Sequence, residues 1–339
     1  MKKIAAAILF VAAGAALPAV PVLLSGAKSA EKQQNIVLEE YVFEDEQAET
    51  PVFSDQPYKI LDISSGIVME VRDYVIGAVC AEMPAAFHEE ALKAQAVAAH
   101  TYAERQRELA AVSPDPTLLG ADLSNDTSRY QGYFTESQMR YFFGENYDLY
   151  YEKISAAVDE VLPYILTYEG EPIISAFHSM SSGVTESAEN AWGTAVDYLV
   201  PVDSECDMAA PKYTEEVSYD ADFLRQRLEK VFEGVKLGEK TESWVVPMEI
   251  SPSGTVLTAS VGNLQVTGNE IREALGLRSA DFEVEAGEDE VTFTTRGYGH
   301  GVGMSQYGAN TMANEGKSWR EILEHYYVNV TIGSTDPDV

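Results

Sequence analysis

Residues 89–111 read EEALKAQAVAAHTYAERQRELAA. Alanine and long unbranched side chains give this run high helix propensity, and neither glycine nor proline interrupts it. Its small residues let neighbouring elements approach closely, so the run predicts a long helix at the centre of a helical layer. Ser113-Pro114-Asp115-Pro116 ends it. Upstream, residues 67–71 read as a short strand. Asp73 is predicted to cap a helix that Met83-Pro84 terminates, because the residue before proline is driven out of helical conformation.

Downstream, residues 113–147 form a polar excursion with little periodicity, and a helical pattern resumes over 149–161. A hairpin over 164–178 is expected to turn at Glu169-Gly170-Glu171. Ser218 is predicted to cap a helix over 219–233, and short strands follow at 244–250, 255–261 and 290–295. Residues 269–275 form a helix closed by Gly276, and Ser318-Trp319-Arg320-Glu321 is a capping box opening the last helix. Strands and helices alternate without a βαβ rhythm. The expected fold is therefore α+β, a helical layer packed on mixed or antiparallel sheets.

The chain has 339 residues, 45% of them hydrophobic, with a mean hydropathy of −0.15. That suits a buried core and excludes a multi-span membrane protein. Two lysines precede an uncharged apolar run from Ile4 to Leu24. A single retained span and a cleaved signal peptide ending near Ser25-Gly26-Ala27 both fit, and the length favours the span, with the body outside the membrane. Residues 1–24 are thus anchor or signal, residues 25–57 an acidic tether, and residues 58–333 one ectodomain. Three of the 23 basic residues lie in the first 30 positions, leaving 20 to face all 55 acidic ones. Such an excess disfavours nucleic acid and anionic lipid as direct ligands, whereas a neutral or peptide-bearing glycan is compatible. Cys80 and Cys206 stand far apart, form no framework, and leave a disulfide between them open.

Three stretches could carry chemistry. In AEMPAAFHEEALKAQAVAAHTYA, residues 81–103, Glu82 falls in the last turn of its helix. The negative end of the helix dipole should raise its pKa, as a general acid near neutral pH requires. Lys93 and His100 share a stripe of the long helix two turns apart, roughly 10 Å, while Gln95 lies on another flank among alanines. FHSMSSGVTESAENAWG, residues 177–193, offers His178, Ser179, Ser181, Thr185, Glu186 and Trp192. Hydroxyls beside an indole suit carbohydrate, and ordinary local capping bonds explain the same residues. GYGHGVGMSQYGA, residues 297–309, carries Tyr298, His300, Ser305, Gln306 and Tyr307 among five glycines. It lacks the lysine of a phosphate-binding loop and the spacing of a histidine metal motif. Either the glycines serve a run of tight turns that need positive φ, or another chain segment or a polymer such as glycan approaches the backbone closely.

Taken together and in this order, the three stretches resemble the stage II sporulation protein D family, related to the amidase-enhancer proteins, over about residues 58–333. The resemblance implies a membrane-anchored lytic transglycosylase that cuts peptidoglycan glycan strands during engulfment of the forespore, without a cofactor. It implies a partner amidase that strips stem peptides first, and a location in the septal space between mother cell and forespore. By the same resemblance Glu82 is the catalytic acid and the glycine loop helps wall a glycan cleft. The substrate-binding set expected around them is Lys93, Gln95, His100, His178, Ser179, Ser181, Thr185, Glu186, Trp192, Tyr298, His300, Ser305, Gln306 and Tyr307. Where the family commonly has arginine, this chain has His100. Some members carry a Cys/His zinc cluster after the long helix, but residues 104–165 hold neither residue type, so no metal is expected there. The alternative is a non-catalytic glycan-binding enhancer of an amidase.

Overall fold

The alanine-rich run organises the molecule as its composition dictates. In a computed structural model, which describes residues 56–61 and 66–335, helices α1 (Val71–Glu82), α2 (Glu89–Val112), α3 (Glu136–Phe143) and α4 (Tyr147–Val161) form one layer. Ala91, Ala94, Ala96, Ala98, Ala99 and Ala103 are buried along α2, and the close approach they permit brings α1 and α4 against it. His88 caps α2, its Nδ1 accepting the Glu90 N–H at 3.2 Å. The strand Tyr164–Tyr168 also lies against α2, paired antiparallel with Thr331–Ser334 and Glu171–Pro172. Helices α8 (Gln306–Asn314) and α9 (Trp319–Tyr326) complete the surround; α5 (Ala188–Trp192), α6 (Ala221–Val231) and α7 (Gly268–Leu275) come between in sequence.

Two hydrophobic cores result. The first gathers Tyr58, Tyr74, Leu92, Val97, Ile154, Leu166, Met304, Ile322 and Tyr326 from both ends of the described chain. The second, built on Leu224, Leu228, Trp244, Val261, Ile271 and Phe293, belongs to an excursion between them. That excursion holds α6, α7 and two antiparallel three-stranded sheets. One orders Leu264–Val266, Val256–Val261 and Val245–Ile250; the other orders Phe282–Ala286, Glu290–Arg296 and Thr214–Asp220. The chain returns to the first core through the glycine loop. With parallel pairings between Tyr58–Leu61 and Leu123–Ser124 and between Phe177–His178 and Met304–Ser305, the architecture is α+β with small mixed and antiparallel sheets.

Several boundaries differ from the sequence expectation. Glu70, not Asp73, precedes the first helix, so Asp73 sits in its first turn. Residues 214–220 are a strand, and Asp220 rather than Ser218 caps α6, accepting the N–H groups of Asp222 and Phe223. The hairpin at Glu169-Gly170 exists but is short: Phe177–His178 leaves it for the glycine loop. Helix α3 lies inside the stretch read as an irregular excursion, held by a capping box between Thr135 and Gln138. Both cysteines are free thiols. Among the described residues no helix is long and apolar enough to cross a membrane. The anchor expected at 1–24, and the tether up to residue 55, lie outside the described residues.

Candidate active site around Glu82

Glu82 is the last residue of α1, and the extended Met83 before Pro84 turns the chain away (φ −119°, ψ 138°). Gly77, one and a half turns earlier, has no side chain because none would fit. A Cβ there would stand 2.7 Å from the carbonyl oxygen of Phe134. The segment 130–134 therefore lies directly on α1, with Phe134 N–H bonded to the Gly77 carbonyl at 3.0 Å. Tyr102 of α2 holds the same segment, its hydroxyl accepting the Gln131 N–H at 3.1 Å. This placement brings the backbone N–H of Gly132 to the Glu82 carboxyl. The side chain keeps partial access to solvent, yet protein packed around the acid pushes its pKa up to about 8; the Gly132 bond opposes that rise. Burial, rather than the helix dipole invoked from sequence, is the cause.

From the other side, Gln306 at the start of α8 donates through Nε2 to the Glu82 backbone carbonyl at 2.9 Å and to Gln95 Oε1 at 3.3 Å. Gln95 and Gln306 thus fasten the last turn of α1 to α2 and α8. Gln306→Ala leaves the buried Gln95 Oε1 and the partly buried Glu82 carbonyl short of a donor, at about 1–3 kcal/mol for the buried one. The expected result is a melting temperature lowered by about 2–4 °C per kcal/mol lost. A thermal melt checks it, and an unchanged melting temperature would show that Gln306 does not fasten the last turn of α1.

The glycines of the return loop answer to a second chain segment. Gly297, Gly299, Gly301 and Gly303 all have positive φ, between 72° and 112°. A Cβ at these positions would meet, in turn, Met180 O at 2.9 Å, His178 Cβ at 2.8 Å, Glu186 Cβ at 3.3 Å and Ala176 O at 2.0 Å. The loop is thus laid against residues 176–186, backbone to backbone, and the close approach that glycine permits is intramolecular. Bonds from Tyr298 N–H to Met180 O and from Glu186 N–H to Gly301 O run along the seam.

Much of the polar inventory of residues 177–193 is spent on this seam. Asp207, fully buried, accepts the Ser181 N–H and hydroxyl (both 2.7 Å), the Ser204 hydroxyl (3.0 Å) and the Ser305 hydroxyl (2.7 Å). Thr185 accepts the Val202 N–H. Glu186 accepts from Ser187 N–H and Asn190 on one oxygen and from Ser251 and Ser253 on the other, bonds that hold its pKa below the usual range against burial. The last two donors come from the excursion, so Glu186 joins the two cores. His178 donates from Nδ1 to the Val302 carbonyl, and His300 Nδ1 accepts the Val302 N–H. Burial lowers both imidazole pKa values, that of His300 to about 3, and keeps the rings neutral. The His300 ring lies 5.4 Å from Trp192 and 5.8 Å from His178.

Of the residues expected to bind substrate, Ser179, Trp192, Tyr298, His300 and Tyr307 retain partial exposure, while Ser181, Thr185, Glu186 and Ser305 are enclosed. Tyr307 packs edge-on to Phe87 at 5.1 Å, and Arg278 stacks over Tyr298 at 4.4 Å. Lys93 is placed elsewhere. Its ammonium is held by Glu89 (3.0 Å), Glu90 (2.9 Å) and Glu160 (2.6 Å), which raise its pKa. His100 faces Glu104 at 3.4 Å, in a buried network with Tyr58 and Arg107. Sequence reading did not single out Gly132, Asp207, Ser204, Ser251 or Ser253.

The described residues contain no cluster of three or more His, Cys, Asp or Glu able to hold a metal ion. A family model described as Stage II sporulation protein matches residues 63–168. The chain is 42% identical over 267 residues to Stage II sporulation protein D of Bacillus amyloliquefaciens, an alignment spanning 78% of this chain and 75% of that protein. It is 41% identical over 266 residues to Stage II sporulation protein D of Bacillus subtilis (strain 168), again 78% and 75% of the two chains. The Amidase enhancer of Bacillus subtilis (strain 168) is 27% identical over 306 residues, covering 76% of this chain and 40% of that longer protein.

Proposed function

Because the chain belongs to the stage II sporulation protein D family, we propose that it is a lytic transglycosylase acting on peptide-stripped glycan strands of peptidoglycan. The observation carrying this reading is the Glu82 carboxyl, kept protonated near neutral pH by burial and met by one backbone N–H. Glu82 donates its proton to the glycosidic oxygen as the bond to C1 of N-acetylmuramic acid breaks. The resulting carboxylate, stabilised by the Gly132 N–H, takes the proton of the C6 hydroxyl as that oxygen closes on C1. One carboxyl serves as acid and then base, and a 1,6-anhydro end forms. A usual hydrolase needs a second carboxylate. Glu186 is filled by four donors and Asp197 is exposed, accepting from Tyr168, which favours the single-carboxylate route.

Mass spectrometry of digested denuded strands tests the reading. The expected product is one water lighter than a hydrolytic one. Reducing ends that incorporate label from heavy-oxygen water would establish hydrolysis instead and return attention to Glu186 and Asp197. In the same proposal the N-terminal span holds the body outside the membrane, in the septal space during engulfment, where an amidase prepares its strands.

The similarity to a protein named Amidase enhancer favours a second reading, in which the chain binds glycan and stimulates an amidase without cutting. Stimulation that survives in Glu82→Gln, with no cutting by the wild type, would select it.

A further inference from the structure

Beyond Glu82 the segment 130–134 continues into a run of aromatic rings that nothing above employs. Phe134 is partly exposed, and its backbone is fixed on Gly77, five residues before Glu82 in α1, about 7–8 Å along the helix axis. The Phe142 ring of α3 lies 5.3 Å from the Phe134 ring and is 43% exposed, and Tyr141, preceding it in sequence, is 92% exposed. Phe143 is buried and packs against Phe142 and Tyr150, so the Phe142 ring rests on a fixed base. The adjacent cation is already occupied: Arg140 pairs with Glu136 at 2.7 Å and stacks over Tyr147.

Resting on the reading of Glu82 as the acid, we infer that Phe134, Phe142 and Tyr141 form an outer subsite for the glycan strand. Aromatic rings offer an apolar platform to the C–H face of a pyranose, and these demand no charge from the ligand. The occupant is argued from continuity. The segment that supplies the Gly132 N–H to the acid also supplies Phe134, so a polymer threaded past Glu82 reaches the rings with its next sugars.

The test compares the full chain with Tyr141→Ala and Tyr141→Ala/Phe142→Ala on long denuded strands and on the shortest fragment that is cut. The double substitution should raise KM for long strands by about tenfold, the size expected for losing one or two ring contacts. The kcat should hold, and so should both constants on the short fragment. Tyr141→Phe, which keeps the ring, should behave as wild type. Equal losses on both substrates, or no change on either, would overturn the subsite. Unchanged strand kinetics with lost amidase stimulation would also overturn it, assigning the rings to a protein partner. Affinity for uncut long strands, weaker in the double variant, decides the matter even if the wild type cuts neither substrate, an outcome that would count against the reading of Glu82 alone.

Discussion

Glu82→Gln is expected to remove strand cutting, by about 10²–10⁴-fold in kcat, and at the same time to stabilise the protein as pH rises. The sign follows from the burial of the acid. Its pKa is about 8 in the folded chain against an ordinary value of 4.5, so between these pH values the folded state holds a proton that the unfolded state has released. Stability is then lost with rising pH across that window and levels off above it. Glutamine never ionises, still accepts from Gly132, and escapes the loss. The melting temperature of the variant should match wild type below pH 4.5 and exceed it progressively up to pH 8, by about 2–4 °C per kcal/mol relieved. Wild-type cutting should fall as pH rises through about 8, when the donor proton is gone. Parallel melts and rate profiles check both limbs. Undiminished cutting by the variant would remove Glu82 from the chemistry, and a melting difference independent of pH would show that the carboxyl is well hydrated.

Gly303→Ala is expected to be the most destabilising change in the glycine loop, costing more than about 4 kcal/mol, at the exceptional end for single substitutions. Its methyl would stand 2.0 Å from the Ala176 carbonyl oxygen, and neither backbone segment can give way, because Met304 and Ser305 pair with Phe177 and His178 next to it. Gly316→Ala is the control. That glycine has φ 92° but open space around it, so only the conformational penalty of about 1–2 kcal/mol applies. Denaturant melts of the two variants separate close approach from backbone strain. Equal losses would mean that the loop tolerates a methyl and that positive φ alone explains its glycines.

Local chemistry made the helices legible where caps and composition agreed. The central helix, Gly276 after Leu275 and the Ser318–Glu321 box all register within a residue or two. Helix α3 carried the same kind of signal in Thr135-Glu136-Ser137-Gln138, but its few apolar residues gave too short a period to recognise. The strand at 214–220 was misread because Val217 and Tyr219 alone mark its inner face, while the true cap, Asp220, stands two residues past the serine that resembled one. The position of Glu82 at a helix end was readable. The upward direction of its pKa was readable too, but burial as the cause was not, since residues 130–134 meet α1 only in the fold. Asp207 illustrates the limit most plainly: a lone aspartate gains its meaning only when residues 181, 204 and 305 converge on it. Lys93 errs in the opposite direction, for Glu160 arrives from α4, and no spacing within α2 announces it.

The ladder of glycines at 297, 299, 301 and 303 divides its stretch of sequence by parity. An added side chain at an odd position would run into residues 176–186, at their backbone from 297 and 303 and at the Cβ atoms of His178 and Glu186 from 299 and 301. Val302 and Met304, at even positions, are locked in the core. Tyr298 and His300 remain, half-buried beside Arg278 and Trp192, as the positions where no close backbone approach dictates glycine and no core contact fixes the side chain. A lineage adapting this loop would therefore explore two letters of the alphabet and leave the rest of the phrase intact.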